Sequence, residues 1–175
     1  MPHMEAESEI DGLIFWNGDP TVFVLESAVE LNAMLLEHCQ PGIPLRRRPE
    51  HEQDEVIAKL LRRLWRIPPK AHPFRHLSEM IASWSKESLE KADHWFDAGF
   101  VREGLHIFEE LSNNAPSEVL LATDLHAGNV LQVQREPWLV IDPKPFVGDP
   151  AYDATQHLLN CDTRLRSGPE EMIRH

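Results

Sequence analysis

The sequence predicts an α+β fold in which a mostly helical centre is preceded and followed by short strands. Three central segments repeat apolar residues at helical spacing, whereas short β-branched and aromatic runs lie towards both ends. The chain has 175 residues, of which 42% are hydrophobic and 26% are charged. These values are ordinary for a globular protein of one domain or part of one, and they argue against a disordered chain.

The first elements are predicted to form a β-hairpin. Residues 12–16 and 21–26 are short runs rich in β-branched and aromatic side chains. Between them, residues 17–20 read Asn-Gly-Asp-Pro, which is typical of a turn. A turn between two such runs predicts that they pair as antiparallel strands.

The segment that follows has two interpretations. Ser27 and Glu30 have the spacing of a capping box, which predicts a helix. Residues 34–36 are apolar and would equally suit a buried strand that ends at Pro41 and Gly42. Periodicity alone leaves both interpretations open.

Three helices are predicted in the centre of the chain. Residues 50–66 repeat apolar side chains at helical spacing, and a pair of prolines stops them. Residues 77–98 form the second helix, which Gly99 can cap, and residues 101–111 form the third. The residues of the third helix that are predicted to face inwards are Val101, Leu105, Phe108 and Leu111.

Short strands return after the third helix. They are predicted at residues 119–122, 130–133 and 138–141. Residues 134–137 join the last two strands as a hairpin. A loop then leads to Asp149, which can cap a helix with Pro150 at its first position, and Pro169 begins another helix.

The balance of charge disfavours nucleic acid as a partner. Lys and Arg total 17 and Asp and Glu total 29, so the formal net charge at pH 7 is −12. Such a surface repels phosphate backbones and attracts cations. A cationic small molecule is therefore favoured as a partner, although charge alone identifies no substrate.

Cysteine content and hydropathy indicate a soluble protein of a reducing compartment. Cys39 and Cys161 are too few for a disulfide framework or a cysteine zinc site. The first nine residues are acidic and hold no apolar stretch, and no run approaches the roughly 18 apolar residues of a membrane span. We therefore expect no membrane association and a cytoplasmic localisation.

The most informative segment is a polar loop between two predicted strands. Asp124 and Asn129 bracket this loop, and Asp142 follows the second strand of the predicted hairpin, which returns beside Asn129. Amide and carboxylate oxygens from Asn129 and Asp142 suit Mg²⁺. Asp124, set slightly apart, can accept a hydroxyl proton, so the layout is that of a kinase active site.

A structural interpretation of the same residues also exists. Asp and Asn are common in loops because their side chains hydrogen-bond to nearby backbone. Any one of the three residues could be explained in this way. Their joint pattern, with hydrophobic strands on both sides, favours the interpretation as a metal site with a base.

Three motifs of the chain closely resemble those of the aminoglycoside phosphotransferase family. They are Asp-Leu-His-Ala-Gly-Asn at residues 124–129, Ile-Asp-Pro-Lys-Pro at 141–145 and Gly-Asp-Pro-Ala-Tyr-Asp-Ala-Thr at 148–155. With the upstream residues 12–19 and 35–42, the likeness covers most of the chain and is closest to the streptomycin 6-kinase and hydroxyurea phosphotransferase branch. The resemblance implies a kinase-like fold, with ATP and Mg²⁺ as cofactors. It also implies phosphate transfer to a hydroxyl of a small molecule, as in antibiotic resistance.

The resemblance also implies roles for individual residues. Asp124 would orient and deprotonate the acceptor hydroxyl, and Asn129 and Asp142 would hold Mg²⁺. His126 would position the loop or contact the transferred phosphate. Residues 33–39 would form a strand and then a hinge, in which the backbone of Glu37, His38 and Cys39 meets the adenine.

The implied architecture is a protein-kinase-like fold that is truncated at both ends. Residues 1–42 would be a remnant of the N-terminal lobe with the hinge, and residues 43–175 the mostly helical C-terminal lobe, incomplete. Two departures from the family pattern stand out: Ala122 replaces the usual His, and nothing before Asp11 supplies the phosphate-binding Lys or Gly-rich loop. An apolar surface exposed by truncation would favour a homodimer.

Two other functions are compatible with parts of the sequence, and three further residues each have two interpretations. The chain could be a catalytically incompetent kinase-lobe fragment that acts as a binding or remnant protein. Asp-Leu-His also resembles a phosphoesterase metal pair, but no further His motif supports it. Lys144 could reach phosphate or be solvated, Asp149 could brace the loop or cap a helix, and Asp153 could face the site or solvent.

Overall fold

A computed structural model describes residues 8–31, 33–91 and 95–167 as mixed α/β structure with six α-helices and three small antiparallel sheets. The helices are α1 Glu9–Trp16, α2 Glu50–Leu64, α3 Leu77–Glu90, α4 Ala98–Asn113, α5 Ala151–Leu159 and α6 Asp162–Ser167. The strands are β1 Val24–Ala28, β2 Ala33–Leu36, β3 Pro41–Pro44, β4 Val119–Leu121, β5 Val130–Val133, β6 Leu139–Val140 and β7 Phe146–Gly148. The sheets are β1-β2, β3-β5-β6 and β4-β7.

The predicted hairpin at the start of the chain is wrong. Residues 12–16 lie in helix α1, which buries Leu13 and Trp16. The Trp16 indole donates a hydrogen bond to the Leu64 carbonyl, 2.9 Å away. An apolar run this short is compatible with helix or strand, and the burial of side chains three positions apart selects the helix. Asn17, in the left-handed region at φ 48°, ends it.

The second segment is a strand, not a helix. Strand β2 pairs antiparallel with β1, with Ala33 opposite Ala28 and Leu36 opposite Val24. Residues 29–31 form only a short 3₁₀ turn between the two strands. Tertiary pairing thus overrides the local capping pattern at Ser27. The predicted strand is confirmed at residues 33–36, and residues 37–39, which the resemblance assigns to a hinge, lie outside the strand.

The central helices agree with the prediction, with different ends. Helix α2 confirms residues 50–64, and its Ile57, Leu60 and Leu64 are buried in the main core with Trp16. Other residues of that core come from before and after α2 in the sequence and include Leu45, Leu120, Leu125, Val130 and Val140. Helix α2 therefore supports the strands that border the predicted site.

Helix α3 ends at Glu90, earlier than predicted, and residues 92–94 lie outside the described residues. Gly99 does not cap α3 but lies in the first turn of α4, where Asp97 accepts hydrogen bonds from the backbone N–H groups of Gly99 and Phe100 at 2.9 and 3.0 Å. An N-terminal cap accounts for this start. The predicted inward orientation is wrong for Leu111, which is 63% exposed, whereas the partly exposed Phe108 does stack on the buried Tyr152, with ring centroids 5.9 Å apart.

The last third of the chain forms the predicted hairpin and two further elements. Strands β5 and β6 pair with Val130 opposite Val140, as predicted. Residues 146–148, predicted as loop, form β7 and pair with β4. Asp149 accepts a hydrogen bond from the Ala151 N–H at 2.9 Å at the start of α5, which confirms its capping role. The helix predicted from Pro169 lies outside the described residues.

Within the residues that the structure describes, no helix combines the length and apolar character needed to cross a membrane.

Candidate functional site

The polar loop at 122–129 lies between β4 and β5, and the hairpin brings Asp142 to it. Because Val130 pairs with Val140, the residue before β5 and the residues after β6 lie side by side. The Ile141 N–H donates to the Asn129 carbonyl at 2.9 Å, which extends this pairing by one step. Asn129 and Asp142 are therefore neighbours at one end of the hairpin.

Asp124 presents an open carboxylate at this end of the hairpin. Its side chain is 44% exposed. The Asn129 amide donates to the Asp124 carbonyl oxygen at 3.1 Å and lies 3.5 Å from the carboxylate Oδ2. Because the Asn129 Nδ2 is occupied in this way, the Asn129 Oδ1 remains free to accept a hydrogen bond or to coordinate a metal ion.

His126 is oriented towards Asp124. Its Nδ1 accepts a hydrogen bond from the Gly128 N–H at 3.0 Å, so in the neutral ring Nε2 carries the proton. That nitrogen lies 3.8 Å from Asp124 Oδ1. Burial lowers the pKa of His126, with a smaller contribution from Arg46, against the opposing effect of Asp124. The imidazole is therefore neutral at neutral pH and turns an N–H towards Asp124.

Asp142 lies just beyond β6 in an unusual backbone conformation. Its φ is 53°, in the left-handed region that few non-glycine residues occupy. Its side chain is 49% exposed, and one carboxylate oxygen contacts the Lys144 ammonium. Asp142 and Asn129 together offer hard oxygen donors of the kind that Mg²⁺ takes, so these residues fit the implied metal.

Asp153, which the sequence left open between site and solvent, is fully buried behind the loop. It accepts hydrogen bonds from the backbone N–H groups of Ala122 and Thr123 at 3.0 and 2.8 Å, and from the Trp65 indole at 3.1 Å. Burial raises the pKa of Asp153 to about 6, although these three donors act to lower it. The carboxylate thus fixes the backbone of residues 122 and 123, just before Asp124.

A cleft of about 760 Å³ connects the predicted hinge to Asp142. Glu37, His38 and Cys39 line it together with Glu9 and Asp142. Its other walls are the mostly apolar residues Val22, Leu36, Pro41, Gly42, Leu131 and Ile141. The volume and apolar character are those of a small-molecule pocket, within the usual range of about 300–1,000 Å³.

The Glu37 side chain is held by partners other than a ligand. Its carboxylate forms an ion pair with Arg135 and accepts a hydrogen bond from the Phe23 N–H at 3.1 Å. The Arg135 guanidinium also stacks over the Phe23 ring, 4.5 Å from its centroid. This network connects Glu37 to the turn between β5 and β6. The Glu37 N–H donates to the Phe23 carbonyl at 3.0 Å, so a ligand at this position would use other main-chain groups of the segment 37–39.

A second cluster of metal-ligating residue types lies apart from Asp124. The Asp54, His157 and Cys161 ligand atoms lie within 4.8 Å of one another. Arg164 contacts both the Asp54 carboxylate and, at 3.6 Å, the Cys161 sulfur. A guanidinium in this position opposes binding of a metal cation, and the cluster is better explained as a link between α2, α5 and α6.

Comparison with known proteins confirms the resemblance. The family model described as "Aminoglycoside/hydroxyurea antibiotic resistance kinase" matches residues 1–175. The chain is 36% identical over 158 residues to a streptomycin 6-kinase of Streptomyces griseus, with 87% of this chain and 50% of that protein covered. The streptomycin 6-kinase of Streptomyces glaucescens is 33% identical over 161 residues, with the same shares covered.

A relative of different specificity matches at a similar level. The hydroxyurea phosphotransferase of Kitasatospora aureofaciens is 35% identical over 167 residues, which cover 91% of this chain and 48% of that protein. The chain spans about half the length of the curated relatives it matches. The similarity therefore extends over nearly the whole chain but does not choose between the two named acceptors.

Proposed function

This chain belongs to the aminoglycoside/hydroxyurea antibiotic resistance kinase family, and we propose that it acts in ATP-dependent phosphate transfer to a hydroxyl group of a small molecule. The observation that carries the proposal is the placement of Asp124, Asn129 and Asp142 at one end of the β5–β6 hairpin. Asp142 also lines a cleft to which residues 37–39 contribute. Because ATP is the phosphate donor, we expect the reaction in the cytoplasm.

Each part of the site would have a distinct role. The backbone of residues 37–39 would hold the adenine in the cleft. Asn129 and Asp142 would hold Mg²⁺, which when bound neutralises charge on the phosphates. Asp124 would orient the acceptor hydroxyl and take its proton as the acceptor oxygen bonds to the γ-phosphorus and the bond to ADP breaks.

Two residues would support Asp124 rather than react. His126, whose Nε2 lies 3.8 Å from Asp124 Oδ1, would help to position the Asp124 side chain. Asp153 would hold the preceding backbone through its bonds to Ala122 and Thr123. Precise placement matters because phosphoryl transfer depends mainly on positioning and on charge neutralisation.

A cationic aminoglycoside such as streptomycin is the acceptor that the charge favours. The formal net charge of −12 would attract guanidinium and ammonium groups, which pair well with carboxylates. Hydroxyurea is neutral, so this argument does not extend to it. It remains the second acceptor to test because a hydroxyurea phosphotransferase is among the relatives.

Transfer is tested by incubating the chain with Mg–ATP and either streptomycin or hydroxyurea, with mass spectrometry of the product. We expect a phosphorylated acceptor, and we expect Asp124→Ala to lower the rate by at least about 10²-fold, the usual contribution of a general base. Glu55→Gln, an exposed charge change on α2, serves as the matched control. Full turnover in Asp124→Ala would show that Asp124 is not the base.

Nucleotide binding separates this proposal from its alternative, a non-catalytic lobe. Calorimetry with Mg–ATP is expected to show saturable binding that Asp142→Asn abolishes. Binding without transfer to either acceptor would favour a binding protein of kinase descent. Absence of binding at millimolar Mg–ATP would contradict the proposed nucleotide site.

A further inference from the structure

Lys144 is buried in a way that is unusual for a lysine. Its side chain is only 15% exposed, and its ammonium contacts the Asp142 carboxylate and lies 3.7 Å from Glu9 Oε2. Lysines are seldom buried without partners, because removing the ammonium from water is costly. The sequence left this residue open between a phosphate contact and a solvated loop, and the burial excludes the solvated loop.

The backbone of Lys144 is tied to the loop that carries Asp124. Its N–H donates to the Ala122 carbonyl at 2.8 Å, and its carbonyl accepts from the Thr123 hydroxyl at 2.6 Å. Prolines at 143 and 145 restrict the chain on both sides. The ammonium therefore starts from a backbone position that is fixed relative to the proposed base.

Helix α1 supplies the second carboxylate at this position. A Cβ on Gly12 would lie 2.9 Å from the Pro145 ring, so α1 packs directly on the segment that carries Lys144. Glu9, three residues earlier in the same helix, thereby reaches the ammonium. Glu9 and Asp142 both line the cleft, so the ammonium lies between two carboxylates of its wall.

The charges at this end of the cleft are unfavourable for a polyphosphate. Two carboxylates face one ammonium, which leaves an excess of negative charge. A metal ion held by Asp142 would compete with Lys144 for the negative charge of that carboxylate, and the contact to Glu9 is the longer of the two that the ammonium makes. An ammonium has three donors, and a phosphate oxygen is a strong, charge-assisted acceptor for one of them.

We propose that Lys144 is a phosphate-binding residue beside the cleft: Asp142 and Glu9 hold its ammonium when no nucleotide is bound, and the ammonium turns to a nucleotide phosphate when Asp142 binds the metal. The inference rests on the proposed function and adds a residue that recognises the phosphates rather than the base of the nucleotide. Lys144 is in this sense a specificity residue for nucleoside phosphates over nucleosides.

The test compares the affinity of the whole chain for Mg–ATP and for adenosine by calorimetry. Lys144→Met keeps most of the apolar stem and removes the charge. We expect the Mg–ATP affinity to fall by about tenfold or more, which is the effect of losing one hydrogen bond to a charged group. The affinity for adenosine, which has no phosphate, should change by less than about twofold.

A purely structural ion pair makes a different prediction. If Lys144 served only to attach α1, Glu9→Gln and Lys144→Met would weaken Mg–ATP binding alike. Under the proposal, Glu9→Gln removes a negative charge near the phosphates and increases the Mg–ATP affinity. Lys59→Met, which removes an exposed lysine paired with Glu55 on α2, is the matched control, and thermal melting confirms that each variant is folded.

The outcomes distinguish this inference from the proposed function. Mg–ATP binding that Lys144→Met leaves unchanged, or equal losses of Mg–ATP and adenosine affinity, would overturn the role of Lys144 alone. Loss of Mg–ATP affinity in Glu9→Gln to the same extent would also overturn it. If the unchanged chain bound neither ligand, the nucleotide site itself would fail and this inference with it.

Discussion

Asp153 is the residue on which the geometry of the candidate site most depends. It is fully buried, and each of its hydrogen-bond donors belongs to a different part of the chain from its own helix α5. Burying a carboxylate is costly, and three donors offset only part of that cost, as its raised pKa indicates. The same three donors fix the backbone at residues 122 and 123, which precede Asp124.

The pH dependence of stability is the prediction at the residue scale. The pKa of Asp153 is about 6 in the folded chain, against an ordinary value of 3.8, so the folded state binds the proton more tightly. Its contribution to stability is therefore largest below about pH 4 and is lost as the pH rises through about 6. Asp153→Asn, which does not titrate, should lack this dependence.

Urea unfolding at several pH values measures this effect. The unfolding free energy of the unchanged chain minus that of Asp153→Asn should fall by on the order of 2–3 kcal/mol between pH 4 and pH 7. Glu55→Gln removes an exposed carboxylate paired with Lys59 on α2, neither of which is expected to titrate between about pH 6 and 7, and provides a control. A difference that stays constant or increases with pH would show that Asp153 is ionised in the folded chain well below pH 6.

At the scale of elements, the position of helix α1 depends on a close contact with Pro145. Gly12 faces the Pro145 ring, and this approach lets Glu9 reach Lys144. Gly104, in the middle of α4, has nothing within 4 Å of the position that a Cβ would take. Both glycines lie within a helix, but Gly12 has a close neighbour and Gly104 has none, so the two positions can be compared directly.

Alanine substitutions at these two glycines should have opposite effects. Gly104→Ala should stabilise the chain by up to about 1 kcal/mol, because alanine is the better helix former. Gly12→Ala should destabilise it by about 1–2 kcal/mol, since the contact at 2.9 Å outweighs the gain in helix propensity. Thermal unfolding of both variants is the measurement, and stabilisation by Gly12→Ala would contradict the close packing of α1 on Pro145.

At the scale of the whole molecule, apolar residues remain on the surface of α4. Phe100 is 79% exposed and Leu111 63%, and Ile107 and Gly104 lie between them at helical spacing. A continuous exposed stripe of this kind favours association with another surface. The homodimer expected from the sequence stays a prediction, as does the division into lobes at residue 42.

Sedimentation velocity over a range of concentrations tests the association. We expect a dimer that forms with increasing concentration, and the double variant Phe100→Gln/Leu111→Gln should weaken it by tenfold or more, since it removes two large apolar side chains from the contact. Arg102→Gln on the same helix changes an exposed charge that is not at i±3 or i±4 from any residue of the stripe, and it is the control. A chain that stays monomeric at all concentrations would contradict association through α4.

The sequence by itself determined the family, helix α2, the β5–β6 hairpin and the nearness of Asn129 and Asp142. These features depend on neighbours within a few residues, on the period of apolar side chains and on a local motif, all of which can be read along the chain. The pairing of β5 with β6 follows from a short connection, so the geometry at its end follows as well. The roles of Asp124, His126, Asn129 and Asp142 stay predictions.

Only the tertiary structure decided that residues 12–16 are helical, that residues 146–148 pair with β4, that Asp153 is buried and that Glu9 reaches Lys144. Each of these depends on a partner far away in the sequence: Trp16 on Leu64, Asp153 on Ala122, and Glu9 on Lys144. Local propensities for these segments are nearly balanced, so long-range packing and hydrogen bonding choose among the alternatives. The motif therefore identifies the loop that carries Asp124, whereas contacts with residues far away in the sequence hold that loop in place.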